Sequence, residues 1–239
     1  RNIEQPRSEE VQVKGRGMGN SSSANQCLEC LGNELLSEMQ PIVGKKRAFI
    51  QACVSRFNAN FTTPGITIND FQLIIGPETP PSPELDRVFQ LFDDDHNGLT
   101  DVHEVFAVLI LASEMKTTQK IRLVFETFDL NHDNSLSREE AVIMTRALLR
   151  GLAKAGGAAP PPTAAVEQAC GAAFAAADAA GDGKITYVEW FQFIEANEKI
   201  HQAMEKLTKA GIYTENSTFR KIRRAASDPM EPSPPRRLP

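Results

Sequence analysis

Asp93, Asp95, Asn97, Asp101 and Glu104 put side-chain oxygens at positions one, three, five, nine and twelve of a twelve-residue run, with Gly98 at position six. Leu99, at position seven, can add its backbone carbonyl. On a tightly curled backbone this spacing aims the oxygens at one point. Such a shell suits a hard divalent cation, and Ca²⁺ takes about six to eight oxygens at roughly 2.3–2.6 Å. Gly98 permits the sharp turn that a β-carbon would oppose. Glu104 is placed to give two oxygens at once from the start of a following helix.

The pattern recurs. The run 93–104 is called loop A. Loop B, 129–140, carries Asp129, Asn131, Asp133, Ser137 and Glu140, with the Ser135 carbonyl at position seven and Asn134 in place of glycine at six. Asn is the next best residue for a left-handed backbone angle. Loop C, 178–189, carries Asp178, Asp182, Thr186 and Glu189, with the Lys184 carbonyl at seven and Gly183 at six. Ala180 stands at position three and brings no side-chain oxygen. Water is expected to fill that place, which predicts weaker binding at loop C. His96 and His132 occupy position four, which points outward, and are read as solvated residues and not as zinc ligands.

Each run must be held between helices. Phe89 and Phe92 precede loop A, Phe125 and Phe128 precede loop B, and Phe174 precedes loop C. Val105, Phe106, Leu109 and Ile110 follow loop A; Val142, Ile143 and Leu148 follow loop B; Trp190, Phe191, Phe193 and Ile194 follow loop C. These are helical spacings of one apolar face. Position eight of such loops supplies a short strand, so Leu136 and Ile185 are expected to pair. Loop A then needs a partner upstream. Gly65-Ile66-Thr67-Ile68-Asn69-Asp70-Phe71 looks like the second half of a worn loop, although Pro64 and the lack of carboxylates before it predict no cation there. Thr100 stands at position eight of loop A where an apolar residue is usual, which predicts looser pairing in the amino-terminal half.

These residues resemble the EF-hand superfamily over residues 45–205. The stretch Lys120-Ile121-Arg122-Leu123-Val124-Phe125-Glu126-Thr127-Phe128-Asp129 is similar to the helix entering the third hand of the calcineurin B and neuronal calcium sensor branch. The resemblance implies an all-α fold of four helix–loop–helix units in two pairs, the first hand degenerate, with short loop-to-loop β pairings. It implies Ca²⁺ as cofactor, no catalysis, and a target protein, an amphipathic helix of an enzyme or channel, gripped when calcium opens the helix pairs. The domains expected are a flexible segment 1–44, an amino-terminal pair 45–112 (hands 50–76 and 84–112), and a carboxy-terminal pair 117–205. An insert at 151–165 interrupts the second pair, because Gly156-Gly157 and Pro160-Pro161-Pro162 cannot continue a helix. Residues 206–239 form a basic, Pro-rich tail expected to be disordered. Loop A is expected to govern its half almost alone, with loops B and C acting as a coupled pair.

Met18-Gly19-Asn20-Ser21-Ser22-Ser23 fits the myristoylation pattern if translation starts at Met18. One such chain holds a membrane only marginally, at about 10⁴ M⁻¹, so Cys27 and Cys30 are candidates for a second acyl group. The alternatives are an internal linker and two idle thiols. The chain has 239 residues, four of them Cys, and a formal net charge of −5. The sparse cysteines favour a reducing cytoplasm, with a possible place at a membrane surface. The acidic balance argues against nucleic acid as partner. No Ser/His/Asp set or glycine-rich phosphate loop suggests an enzyme. Three functions fit: a calcium sensor, a regulatory subunit bound permanently to an enzyme such as a calcineurin-like phosphatase, or a calcium buffer.

Overall fold

Side-chain caps set most of the helix starts. In the computed structural model, which describes residues 37–198 together with 200, 202 and 205, Ser82 accepts the Leu85 N–H at 3.2 Å and Pro83 takes the first helical turn. There its missing N–H is not needed. A 3₁₀ turn, Ser37–Met39, is followed by α1 (Arg47–Asn60), β1 (Gly65–Ile66), α2 (Ile68–Ile75) and α3 (Pro83–Phe92). Next come β2 (Thr100–Asp101), α4 (Val102–Leu111), α5 (Thr117–Phe128), β3 (Ser135–Ser137) and α6 (Arg138–Ala155). The described elements end with α7 (Thr163–Ala177), β4 (Lys184–Thr186) and α8 (Tyr187–Ala196).

The strands form two antiparallel pairs. Gly65 faces Asp101 and Ile66 faces Thr100; Ser135 faces Thr186, Leu136 faces Ile185 and Ser137 faces Lys184. The worn hand therefore partners loop A, and loops B and C partner each other. The amino-terminal ladder is one residue shorter on each strand. Thr100 is buried there, and among the described residues its Oγ1 has no hydrogen-bond partner, in keeping with the looser pairing its polar side chain predicts.

Both pairs share one hydrophobic core. Ile50, Phe71, Phe92 and Phe106 join Phe128, Leu136, Ile185 and Trp190 in a single cluster. Helix α4 explains how. Every residue from Val102 to Leu111 is buried; apart from His103 and Glu104 in its first turn the helix is apolar all round, and such a helix is one surrounded by neighbours. Burying each Val, Leu, Ile or Phe side chain contributes about 1.5–3 kcal/mol. Helix α4 packs on α6 more extensively than any other helix pair.

Helix α6 narrows one expectation and corrects another. It runs through Gly151 to Ala155 before Gly156 ends it, and α7 starts at Thr163, so the non-helical insert is residues 156–162. Gly151 is kept inside the helix by a close approach: a β-carbon there would lie 2.5 Å from the Glu104 carbonyl oxygen. The buried face of α6 also differs. Ala141, Met144 and Ala147 are buried, whereas Val142, Ile143 and Leu148 lie half-buried against the core.

Candidate metal centres

The three loops curl by the same device. The position-one aspartate accepts backbone N–H groups from positions five and six. Asp93 takes Asn97 and Gly98, both at 3.0 Å; Asp129 takes Asp133 at 3.1 Å and Asn134 at 3.0 Å; Asp178 takes Asp182 at 3.2 Å and Gly183 at 3.0 Å. Position six is left-handed in each, at Gly98, Asn134 and Gly183 (φ 81°, 63° and 81°). Position four is left-handed too, at His96, His132 and Gly181 (φ 55°, 58° and 70°). Both histidines are exposed. Asn and His tolerate that region better than most side chains.

Further bonds order the ligand candidates within each loop. Asn97 Oδ1 accepts Leu99 N–H at 2.8 Å, and Asp95 Oδ2 accepts Asn97 Nδ2 at 2.9 Å. Asn131 Oδ1 accepts Asp133 N–H at 2.9 Å, and Asp133 Oδ1 accepts both Ser135 N–H and its hydroxyl. Lys184 Nζ crosses from loop C to Asp133 Oδ2 at 2.9 Å. The Ser135 bonds, then Lys184, hold the Asp133 carboxyl well below the usual carboxylate range. In loop C, Asp182 Oδ1 accepts Lys184 N–H at 3.0 Å, and Ala180 offers only its backbone. Among the described residues no three His, Cys, Asp or Glu side chains converge on one point. A full cation shell here thus relies on Asn, Ser, Thr and backbone oxygens as well, a donor set of calcium character.

The position-twelve glutamates separate the loops. Glu140 folds back over loop B: Oε1 accepts Leu130 and Asn131 N–H at 2.9 and 3.2 Å, and Oε2 accepts Ser137 N–H at 2.8 Å. Glu189 does the same over loop C, from Ala180 at 2.9 Å and Thr186 at 2.8 Å. Each forms a reciprocal capping box with the residue at position nine. The Thr186 bonds, with that from Ala180, hold the Glu189 carboxyl below its ordinary range. The worn hand keeps the box with Thr67 and Asp70.

Glu104 has no such box. Asp101 caps α4 by accepting His103 N–H at 3.0 Å. Glu104 instead meets α6: Arg150 Nε donates to Oε1 at 2.9 Å, and Lys154 Nζ stands 2.7 Å from Oε2 as an ion pair without an aligned hydrogen bond. Lys154 also pairs with Asp94 Oδ1 at 2.7 Å and donates to the Phe92 carbonyl at 2.6 Å. The Lys154 and Glu104 side chains are 5% and 3% exposed, so solvent screens this pair little. Removing one partner of a buried pair costs about 3–5 kcal/mol because the other charge is stranded. Arg146 extends the row toward Asp101 Oδ2 at 3.5 Å. Burial opposes ionisation of Asp101, yet bonds from His103 and the charge of Arg146 hold its carboxyl below the usual range.

Loop spacing alone does not reveal these three cations, which tie the glutamate of loop A to the helix that leaves loop B. The available signal was Arg146, Arg150 and Lys154 at four-residue intervals, one stripe of a helix. Gly19, Cys27 and Cys30 lie outside the described residues. Among the described residues no helix is long and apolar enough to cross a membrane.

Comparison with known proteins agrees with this geometry. Residues 82–146, which contain loops A and B, match the family model of an EF-hand domain pair. Residues 82–146 therefore carry an EF-hand domain pair, and the cofactor such a pair implies is Ca²⁺. It is similar to recoverin of Homo sapiens, 27% identical over 136 residues, which is 56% of this chain and 66% of recoverin. Visinin of Gallus gallus is 26% identical over 136 residues, 56% of this chain and 68% of visinin. Cell division control protein 31 of Saccharomyces cerevisiae is 32% identical over 77 residues, 31% of this chain and 48% of that protein. The chain thus spans about half to two thirds of the length of these relatives.

Proposed function

We propose that this protein is a calcium sensor that acts by binding a target protein and catalyses no reaction itself. One observation carries the reading: each position-twelve glutamate lies in the first turn of a helix that builds the shared core. Glu104 leads into Val105 and Phe106, Glu140 into Ala141 and Met144, and Glu189 into Trp190 and Ile194. A carboxylate that turns toward a cation therefore pulls on buried apolar surface.

Ca²⁺ supplies a compact divalent charge that gathers oxygens. The chain's part is to offer them: Asp93, Asp95, Asn97, Leu99, Asp101 and Glu104 in loop A; Asp129, Asn131, Asp133, Ser135, Ser137 and Glu140 in loop B. In loop C they are Asp178, Asp182, Lys184, Thr186 and Glu189. Leu99, Ser135 and Lys184 act through their backbone carbonyls. The similarity to recoverin and visinin supports a sensor over a buffer. The same reading keeps acylation at Gly19, helped by Cys27 or Cys30, as the means of membrane attachment.

Two measurements test it on the full chain. An apolar dye should brighten when calcium is added, and calcium titration should find three sites. Glu140→Gln should remove one of them by taking away a two-oxygen ligand. Unchanged dye emission would mean a buffer, and unchanged stoichiometry in Glu140→Gln would refute the assignment of loop B.

A further inference from the structure

The geometry points to an internal competitor for calcium at loop A: Arg150 and Lys154 of α6 hold Glu104, and calcium binding there must displace them. The inference rests on reading 93–104 as a calcium loop.

Three independent features carry it. Both Glu104 oxygens are engaged by α6, one at 2.9 Å from Arg150 and the other at 2.7 Å from Lys154. A divalent ion held by the same two oxygens would face two protein cations at close range in a poorly screened site. Second, Glu104 alone of the three position-twelve glutamates lacks the capping box, so nothing in its own loop holds it. Third, the approach is built into the backbone. Gly151 lets α6 come against the Glu104 carbonyl, and Lys154 is anchored on the carbonyl of Phe92, the last residue of the helix entering loop A.

The competitor also links two sites. Helix α6 carries Glu140 of loop B in its first turn and Arg150 and Lys154 near its far end. It is one uninterrupted helix, so a shift at either end is felt at the other. Calcium at loop A releases the far end of α6; calcium at loop B moves its start. By linkage each event alters the affinity for the other equally.

The test isolates loop A by working in the full chain carrying Glu140→Gln and Glu189→Gln. Adding Arg150→Gln and Lys154→Met should raise the calcium affinity of the remaining site by more than about 5-fold, the lower end of usual site-to-site coupling. Arg150→Gln alone, at a quarter-exposed side chain, should move affinity the same way if the double change does not fold. In the parent chain, Lys154 should resist a brief pulse of amine-acylating reagent without calcium and become labelled with it, as read by mass spectrometry. Unchanged affinity in these variants, or labelling of Lys154 indifferent to calcium, would overturn the competitor. If Glu104→Gln leaves the parent's calcium stoichiometry intact, loop A itself is misread and the competitor fails with it. Loss of one site in Glu104→Gln, with no affinity gain on removing the cations, sinks the competitor alone.

Discussion

Gly151→Ala probes the contact that brings α6 to loop A. A β-carbon at Gly151 would lie 2.5 Å from the Glu104 carbonyl oxygen and 3.2 Å from its carbonyl and α carbons. These are backbone atoms and cannot swing aside. To reach ordinary contact at about 3.5–4.0 Å, the two helices must part by roughly 1 Å along that line. Overpacking of this kind costs about 1–3 kcal/mol. Replacing a mid-helix glycine by alanine returns about 0.5–1 kcal/mol of helix propensity. The net expectation is destabilisation by up to about 2.5 kcal/mol. Gly171 in α7 is the control. Its added β-carbon would meet nothing nearer than Arg138 Nη2 at 3.9 Å, so Gly171→Ala should stabilise by about 0.4–1 kcal/mol. Urea unfolding with chelator present compares the two midpoints. Opposite signs are expected. If Gly151→Ala gains stability as Gly171→Ala does, the close packing of α4 on α6 is wrong, and the route by which Lys154 reaches Glu104 goes with it.

Lys120 is fully buried, and its Nζ donates to the Leu111 carbonyl at the end of α4. Burial lowers its pKa from 10.5 to about 7. Between those values the unfolded chain binds more protons than the folded one, so stability should climb with pH across the window, by at most about 1.4 kcal/mol per unit, and level off below it. Urea midpoints between pH 7 and 10 should show that slope in the parent and lose it in Lys120→Met; equal slopes in both would exclude Lys120 as its source. Cys53 is buried in α1, and burial pushes its thiol up to about 12. Iodoacetamide at pH 8 should therefore spare Cys53 in the native protein and modify it in urea, and rapid native alkylation would contradict its place in the core.

The loops were legible because their chemistry is local. Each ligand candidate stands at a fixed offset from Asp93, Asp129 or Asp178, and the aspartate-to-amide bonds that curl the backbone span only four or five residues. The worn hand was legible from Gly65 to Phe71 for the same reason, since Ile66 meets Thr100 through the ladder position that the loop register assigns. Contacts between distant segments were not. Arg150 and Glu104 are 46 residues apart, and each reads alone as an ordinary helical charge. The need for Gly151 was not legible either, because it comes from the approach of a second backbone at Glu104. The face of α6 misled because Val142 and Ile143 share helical spacing with Ala141 and Met144. Only the position of α4 decides which set turns inward, and the smaller side chains suit that close approach.

Ligand count by itself ranks loop A first and loop C last, but the surroundings of each glutamate change the order. Loop C lacks one side-chain oxygen at Ala180, while its glutamate is held only by its own loop. Loop A has every side-chain oxygen, yet its glutamate must leave a buried pair before it can serve a cation, and buried pairs are the expensive ones to break. Loop B has a full set, and the outside cation it meets is Lys184 on Asp133, a pair half open to solvent. Such exposed pairs are worth about 0–1 kcal/mol. On the proposed reading that imbalance predicts that loop B fills first, so in a calcium titration Glu140→Gln should remove the tightest site, and an unchanged tightest site would refute the order. Loop A sits at the far end of α6, the helix that carries Glu140 in its first turn. Its well-formed ligand set is matched against Arg150 and Lys154, so it is expected to fill only after that end of α6 has been loosened.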